Sequence, residues 1–313
     1  MIAGGFLLLV YGTNWFVDGA SALAKRFRVS NIVIGLTIVA LGTSTPELVV
    51  NVVAAVDNNT EIVLGNILGS NLINILIILG ISSIIYPLNV QSNTTWVEIP
   101  LCFLASLVVL VMGNDVFLDQ FSLNLLSRSE GVILIAFFTI FIGYSLHMLS
   151  TETLGDSLTT KDFSRGKIVL FIIFGLILSI AGGRLIVTGA TGLARIMGIP
   201  ERIIALTIVS LGTSLPELAT SIIAVRKGNV DMAIGNVVGS NIFNIFFVLG
   251  ISSIIRPVPV PESGIVDFFA NILASLILFV FVFMGSGRKI GRLEGLFFVI
   301  LYGVYLTTIL TGI

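Results

Sequence analysis

Two short segments place carboxylates, hydroxyls and prolines inside runs that are otherwise apolar. LGTSTPE runs from Leu41 to Glu47, and SLGTSLPE runs from Ser210 to Glu217. Proline cannot donate a backbone hydrogen bond, so Pro46 and Pro216 predict broken helices with freed carbonyl oxygens. A carboxylate inside hydrocarbon is costly and marks a functional site. Each segment therefore offers a set of hard oxygen donors.

Hydroxyl groups accompany each glutamate at the spacing of neighbouring helical turns. Thr43 and Ser44 precede Glu47 by four and three residues, so the three side chains share one helix face. The second segment repeats this arrangement with Thr213, Ser214 and Glu217. A kink stabilised by hydroxyls that bond to nearby carbonyls would explain one such segment. It does not explain two glutamates, and we therefore expect cation ligands.

A second polar motif, GNxxGSNxxN, also occurs twice, at residues 65–74 and 235–244. Its hydroxyls and amides recur every three or four residues, as on one side of a helix. We expect four of them to bind a cation or to support its ligands: Ser70, Asn74, Ser240 and Asn244. Further candidates are Asn66, Asn71, Asn236 and Asn241. A structural hydrogen-bond network between helices is the competing interpretation, and the GxxxG glycines favour close helix packing.

The chemistry of these groups narrows the choice of ion. Carboxylate, hydroxyl, amide and carbonyl oxygens suit Ca²⁺, which takes about 6 to 8 oxygen ligands, whereas Mg²⁺ prefers to keep several waters. The absence of neighbouring thiolates and imidazoles argues against zinc and copper. Two empty carboxylates in a low dielectric repel each other, so the site requires Ca²⁺, several Na⁺ or H⁺.

The composition indicates that a membrane surrounds these residues. The 313-residue chain is 56% hydrophobic and 11% charged, and its mean hydropathy is +1.10, whereas soluble domains carry roughly 25% charged residues. A net charge of −1 gives no indication of nucleic-acid binding. Nucleotide and catalytic motifs are lacking, so we expect no ATP use, no cofactor and no enzymatic activity. We expect Cys102 to be a buried hydrophobe and His147 an interfacial residue.

Ten apolar segments approach the roughly 20 residues that a spanning helix needs. The predicted spans are residues 2–18, 32–56, 62–85, 97–113, 131–149, 168–189, 202–225, 231–255, 265–284 and 293–311. The N-terminus lacks a basic region and a cleavage site, so we interpret it as a first span and not as a removable signal. The predicted fold class is an all-α membrane protein.

The chain contains an internal duplication. With Gly42 placed on Gly212, residues 12–87 align with residues 182–257 without a gap, and nearly half of the positions are identical. Because five spans precede the second copy, the halves enter the membrane from opposite sides, as in secondary transporters. We expect ten transmembrane helices in two inverted five-helix repeats, with broken helices at the midplane. The predicted units are repeat 1–149 with motifs at 42–47 and 65–75, linker 150–167, and repeat 168–313 with motifs at 212–217 and 235–245.

Basic residues predict the orientation of the spans. The loops on one side carry eleven of the 16 Lys and Arg residues, among them Lys25, Arg165 and Lys227. We place that side, including the linker 150–167, in the cytoplasm, and both termini outside. The predicted location is the plasma (inner) membrane, as a multi-pass protein.

The paired GTSxPE and GNxxGSNxxN motifs resemble the α-repeats of the cation/calcium exchanger superfamily, and best of all its prokaryotic sodium/calcium exchanger branch. The resemblance covers almost the whole chain. It implies that Glu47 and Glu217 bind Ca²⁺ centrally, and that carbonyls near Ala40 and Ser210 join them. It implies further residues lining Ca²⁺ and Na⁺ sites: Thr43, Ser44, Ser70, Asn74, Thr213, Ser214 and Ser240. It also implies that the first span of each half slides past the core to alternate access.

Two features depart from parts of this superfamily. Several relatives, notably the potassium-dependent branch, carry aspartate where this chain has Asn244, so K⁺ co-transport is not expected. Animal relatives carry large calcium-sensing domains in the central loop, for which the linker 150–167 is too short.

We therefore predict an antiporter that exchanges Na⁺ for Ca²⁺ by alternating access, with both ions as substrates. A Ca²⁺/H⁺ or other cation/H⁺ antiporter is the nearest alternative, because the glutamates could exchange protons instead of sodium. A cation channel is a remote alternative, since one glutamate in each inverted half suits a closed midplane site better than a ring.

Overall fold

The computed structural model describes residues 2–27, 29–58, 60–118, 120–151, 163–198, 210–260, 262–284 and 287–311. Nearly all of these residues are helical, which confirms the predicted all-α fold. Strands within the described ranges are limited to four dipeptides: β1 (Leu88–Asn89), β2 (Leu125–Leu126), β3 (Val258–Pro259) and β4 (Lys289–Ile290).

The first half is built from long helices that are interrupted at the polar motifs. Its α-helices are α1 (Ile2–Phe27), α2 (Asn31–Ile34), α3 (Ala40–Thr43), α4 (Thr45–Val56), α5 (Thr60–Leu72), α6 (Gly80–Ile85), α7 (Ile99–Met112), α8 (Asp115–Leu118) and α9 (Arg128–Thr151). Three π-helical segments join these helices without leaving the helical path: Gly35–Val39, Ile73–Leu79 and Thr94–Glu98.

The second half repeats this order. Its α-helices are α10 (Arg165–Ile196), α11 (Ser210–Thr213), α12 (Leu215–Arg226), α13 (Val230–Ile242), α14 (Gly250–Ile255), α15 (Glu262–Met284) and α16 (Arg292–Thr311). A π-helical segment at Phe243–Leu249 joins α13 to α14, at the position that Ile73–Leu79 occupies between α5 and α6.

Seven helices in the described residues are long and apolar enough to cross a membrane. They are Ile62–Ile85, Thr94–Met112, Arg128–Met148, Arg165–Ile186, Val230–Ile255, Val266–Phe283 and Arg292–Ile309. An eighth span is a bent pair, Asn31–Thr43 with Thr45–Val56, whose halves meet at 45°. Each of these eight corresponds to a predicted span.

Two further predicted spans, 2–18 and 202–225, do not meet this criterion of length and hydropathy within the described residues. The span at 2–18 lies within the 26-residue α1, where Asn14 and Asp18 reduce the hydropathy. The span at 202–225 begins at residues outside the described ranges, and its described part consists of α11 and α12.

The two halves are related by an approximate two-fold axis. Strand β1 pairs with β4 and β2 pairs with β3, both antiparallel. Helix α6 packs against α16, where a Cβ added to Gly80 would lie 3.1 Å from the carbonyl oxygen of Gly295. In the other half, α14 packs against α9, where a Cβ added to Gly250 would lie 3.1 Å from the carbonyl oxygen of Gly131. These equivalent contacts between opposite halves are what an inverted duplication requires.

The spans that carry the second polar motif form the centre of the molecule. In both Ile62–Ile85 and Val230–Ile255, 78% of the apolar window is buried, against 11–39% in the other five continuous spans. Polar residues of these two spans are therefore enclosed by protein, where they can be satisfied without lipid contact.

Candidate functional site

Each GTSxPE segment breaks its helix at the serine. Ser44 separates α3 from α4 with φ −82° and ψ 9°, and Ser214 separates α11 from α12 with φ −84° and ψ 3°. Pro46 and Pro216 then occupy the first turn of the following helix, where a missing N–H is tolerated. The predicted break is confirmed in the first repeat by the 45° bend.

The glutamates lie directly after these breaks and are buried. Glu47 and Glu217 are in the first turns of α4 and α12, and each is 1% exposed. The N-terminus of a helix stabilises negative charge there. Neither carboxylate forms an ion pair with any residue that the structure describes.

Each glutamate is bound by the serine of the opposite repeat. The Ser44 hydroxyl donates to Oε1 of Glu217 at 2.8 Å, and the Ser214 hydroxyl donates to Oε1 of Glu47 at 3.3 Å. These reciprocal hydrogen bonds bring the two carboxylates into one site, as the repeat predicted.

The threonines are positioned by asparagines from the second motif of the opposite repeat. The Thr43 hydroxyl donates to Oδ1 of Asn236 at 3.1 Å, and the Thr213 hydroxyl donates to Oδ1 of Asn66 at 3.3 Å. Each threonine also lies within hydrogen-bond distance of a carbonyl in its own helix. Asn66 and Asn236 thus contact the site through threonine hydroxyls.

Four asparagines cross between the spans Ile62–Ile85 and Val230–Ile255 in a symmetric network. The amide of Asn74 donates to Oδ1 of Asn241 at 2.9 Å, and that of Asn244 donates to Oδ1 of Asn71 at 3.1 Å. Asn71 and Asn241 also donate to each other's backbone carbonyls at 3.3 and 3.2 Å. The interhelical network considered from the sequence is therefore present, and it orients Asn74 and Asn244.

Six buried side-chain oxygens of the two polar motifs have no hydrogen-bond partner among the described residues. They are Oε2 of Glu47 and Glu217, Oγ of Ser70 and Ser240, and Oδ1 of Asn74 and Asn244. Each of these residues is at most 1% exposed. A buried polar atom without a partner is costly, so these six oxygens, in residues related by the repeat, are the candidate ligands for a cation.

The carbonyls of Ala40 and Ser210 lie one turn before each break. The Ala40 carbonyl accepts from the Ser44 N–H at 3.0 Å and the Ser210 carbonyl from the Ser214 N–H at 3.4 Å. The neighbouring threonine hydroxyls also reach these oxygens, at 3.4 and 3.1 Å. Their role as ligands stays a prediction.

The glycines of the second repeat permit close helix packing. A Cβ on Gly235 would lie 2.6 Å from the carbonyl oxygen of Ile32, and one on Gly239 would lie 2.7 Å from that of Leu36. In the first repeat, Gly69 has Ser210 Oγ at 3.5 Å, and Gly65 has no described neighbour within 4 Å. Close contact between α13 and the helix that carries the first motif is therefore confirmed for Gly235 and Gly239.

Several buried polar residues near the site were not predicted. Asn51 and Ser221 follow the glutamates by one turn: the Asn51 amide donates to the Glu47 carbonyl at 2.7 Å, and Ser221 accepts from Asn236 at 3.0 Å. The self-alignment of the two halves could have identified both residues, because they occupy equivalent positions of the duplication.

Two further carboxylates pair with tyrosines in equivalent places. Tyr144 donates to Oε1 of Glu98 at 2.6 Å, and Tyr305 donates to Oδ1 of Asp267 at 2.7 Å. Both tyrosines lie on the last span of their repeat. Cys102 is buried, as the sequence predicted. His147, predicted to be interfacial, is exposed near the end of α9.

The donor set fits a hard cation. Among the described residues no three His, Cys, Asp or Glu side chains lie together, so the site consists of two carboxylates and neutral oxygens. Such ligands suit Ca²⁺ or Na⁺ better than a transition metal.

Similarity to known proteins agrees with this arrangement. The family model described as "Sodium/calcium exchanger protein" matches residues 1–147 and 167–311. The chain is 37% identical to inner membrane protein YrbG of Escherichia coli, over 92% of this chain and 90% of that protein. It is 31% identical to sodium/calcium exchanger MaX1 of Methanosarcina acetivorans, over 97% and 96% of the two chains.

The fold also matches a solved exchanger. A structure of the sodium-calcium exchanger NCX_Mj, soaked with Na⁺ and Sr²⁺, superposes with a TM-score of 0.83 at 33% identity, and the match covers 98% of this chain and 97% of the other. This chain is thus a multi-pass membrane transporter with two inverted repeats around a buried oxygen site. It belongs to the sodium/calcium exchanger family.

Proposed function

We propose that the protein exchanges Na⁺ for Ca²⁺ across the membrane by alternating access. The observation that carries the proposal is the pair of buried glutamates, each with one oxygen bound by serine and one oxygen without a described partner. Two carboxylates balance one Ca²⁺ or two Na⁺, so the loaded site is neutral and the empty ionised site is strongly unfavourable in a low dielectric. Exchange follows, since one cation leaves readily only when others replace it.

The unpartnered oxygens suggest how the ligands divide. The central pair, Glu47 and Glu217, would both bind Ca²⁺, whereas Ser70 and Ser240 would each add one neutral hydroxyl. Neutral hydroxyl and amide oxygens suit Na⁺, which needs fewer charges than Ca²⁺. A site that only exchanged protons would have no need of these flanking groups, and this favours sodium over H⁺ as the coupling ion.

The packing of α1 and α10 supports a movable unit. A Cβ on Gly5 would lie 2.8 Å from the Gly182 carbonyl oxygen, and one on Gly12 would lie 2.8 Å from that of Gly175. The Thr13 and Ser179 hydroxyls are hydrogen-bonded at 2.8 Å between the same helices. We propose that α1 and α10 move together past the core, opening the site first to one side and then to the other.

The proposal is tested by uptake of radioactive Ca²⁺ into proteoliposomes under imposed gradients. A Na⁺ gradient directed outward, with more Na⁺ inside the vesicles, should drive Ca²⁺ uptake. An imposed pH gradient without Na⁺ should not drive Ca²⁺ uptake. Uptake that ignores Na⁺ and follows the pH gradient would identify a Ca²⁺/H⁺ antiporter instead. Unitary currents from the purified protein would identify a channel.

A further inference from the structure

An apolar groove of about 320 Å³ lies between α1 and α12. Phe6, Val10 and Asn14 line it from α1 at four-residue spacing, and Leu215 and Ala219 are among its lining residues on α12. Phe6 is 50% exposed and Val10 is 47% exposed. Exposed apolar side chains on a spanning helix face lipid, so the groove opens towards the bilayer.

The length of the groove matches one leaflet. At 1.5 Å per residue, the lining on α1 from Phe6 to Asn14 extends about 12 Å, and that on α12 from Leu215 to Arg226 extends about 16 Å. Half of the hydrocarbon core of a bilayer is about 15 Å thick. One acyl chain of a single leaflet therefore fits the groove lengthwise.

Positive charge is concentrated at one end of the groove. Arg226 and Lys227 belong to its lining. Arg226 is exposed and forms no ion pair with a described residue, whereas Lys227 Nζ contacts Oδ1 of Asp18 at 2.9 Å and the Asn14 carbonyl at 3.1 Å. The last turn of α1 adds Lys25 and Arg26 on the same side of the membrane. In the proposed orientation this side is the cytoplasmic one.

The duplication shows that this charge is not required by the fold. The residues equivalent to Arg226 and Lys227 at the end of α4 are Val56 and Asp57. The inverted mate of this helix end therefore carries no cation and one acid. The basic end is particular to α12, as the predicted cytoplasmic position of this helix end requires, and it gives this groove alone a positive end that suits an anionic headgroup.

We propose that the groove binds an anionic phospholipid of the surrounding bilayer. One acyl chain lies along the apolar lining, and the headgroup phosphate is held by Arg226 and Lys227. Basic residues at the membrane surface attract anionic lipids in this way. Because the lipid contacts both α1 and α12, it links the proposed moving unit to the core. The binding itself does not depend on which ions are exchanged.

Native mass spectrometry of the purified protein tests the proposal, with phosphatidylglycerol and phosphatidylcholine of identical acyl chains as the probes. The wild-type protein should retain phosphatidylglycerol at lower lipid concentrations than phosphatidylcholine. The double variant Arg226→Gln, Lys227→Gln should bind phosphatidylglycerol about 5- to 25-fold more weakly, from the usual attraction of two basic residues to an anionic surface. Its binding of phosphatidylcholine should not change.

Two variants separate the charge from the groove. Asp18→Asn breaks the ion pair but keeps both cations, so phosphatidylglycerol should bind as well as before or better. Ala219→Phe fills the groove and keeps the charges, so both lipids should bind more weakly. Equal retention of the two lipids by the wild-type protein, or unchanged retention by the double variant with intact thermal stability, would show unspecific lipid contacts only and overturn the proposal.

Discussion

Reciprocal serine–glutamate hydrogen bonds are the central feature at the scale of single residues. Ser44 holds the glutamate of the second repeat, and Ser214 holds the glutamate of the first. Each repeat therefore completes the site of the other, and neither half can orient its own carboxylate by these bonds. Both copies of GTSxPE are therefore needed to form the two serine–glutamate pairs.

Removing one charge should abolish transport without unfolding the protein. We expect Glu47→Gln or Glu217→Gln to eliminate Ca²⁺ uptake, because one carboxylate cannot balance a divalent cation in a buried site. Folding should persist, since a glutamine oxygen still accepts the serine hydroxyl. Uptake into proteoliposomes and the thermal unfolding temperature check the two parts.

The matched control is Glu98→Gln, which makes the same change at another buried glutamate. Glu98 is bound by Tyr144 and lies outside the site, so Ca²⁺ uptake should continue. Near-normal uptake by either site variant, or equal loss in the control, would contradict the central role of Glu47 and Glu217.

Helix interruptions are the main device at the scale of secondary-structure elements. The helix breaks at Ser44 and restarts at Thr45, and Pro46 maintains the break because proline supplies no N–H for the Gly42 carbonyl. The π-helical segments Ile73–Leu79 and Phe243–Leu249 begin within the asparagine network. Such local widening of a helix is frequent at functional sites.

Restoring the backbone donor should impair the site. Pro46→Ala permits a continuous hydrogen bond ladder through the break, and we expect Ca²⁺ uptake to fall strongly while the unfolding temperature stays equal or rises. Pro100→Ala is the control, because Pro100 also occupies the first turn of a helix, α7, but belongs to neither polar motif. Equal activities of the two variants would argue against a role for the break.

Close packing of α13 against α2 sets the position of the second motif. Gly235→Ala would bring a Cβ to 2.6 Å from the Ile32 carbonyl oxygen, and overpacking of this kind typically costs about 1–3 kcal/mol. We expect a lower unfolding temperature. In Gly143→Ala the added Cβ meets no described atom within 4 Å, so this control should be as stable as the wild type or slightly more so. Equal destabilisation in both variants would refute the packing argument.

The whole molecule is organised by its inverted duplication. The β1–β4 and β2–β3 pairs and the two glycine contacts Gly80–Gly295 and Gly131–Gly250 each join one half to the other. The last spans of each repeat thus pack against the central spans of the opposite repeat. An arrangement of this kind can open towards either side of the membrane with equivalent contacts.

Labelling of single cysteines tests the orientation. We expect Ser157→Cys, in the linker 150–167, to react with an impermeant maleimide only from the cytoplasmic side. Ser122→Cys, between α8 and α9, should react only from outside. The native Cys102 is 1% exposed and provides a silent background. The reverse pattern would show that the orientation predicted from the basic residues, with both termini outside, is wrong.

Much of this protein was determined by local sequence. Apolar length predicted the spans, and the self-alignment predicted two inverted halves. Both depend on residues close in sequence or on repetition along the chain, which helical geometry converts directly into structure. The regular helical spacing expected for Thr43, Ser44 and Glu47 does not hold, because the helix breaks at Ser44 between α3 and α4.

The tertiary structure alone decided the partners across the two halves. Neither the bond from Ser44 to Glu217 nor the crossing of Asn74 with Asn241 has a local signature, because residues this distant in sequence meet only through helix packing. The same holds for the groove between α1 and α12, whose basic end has no equivalent in the first repeat. Helix packing brings these distant residues together, because the two-fold arrangement places the oxygens of each half against those of the other half.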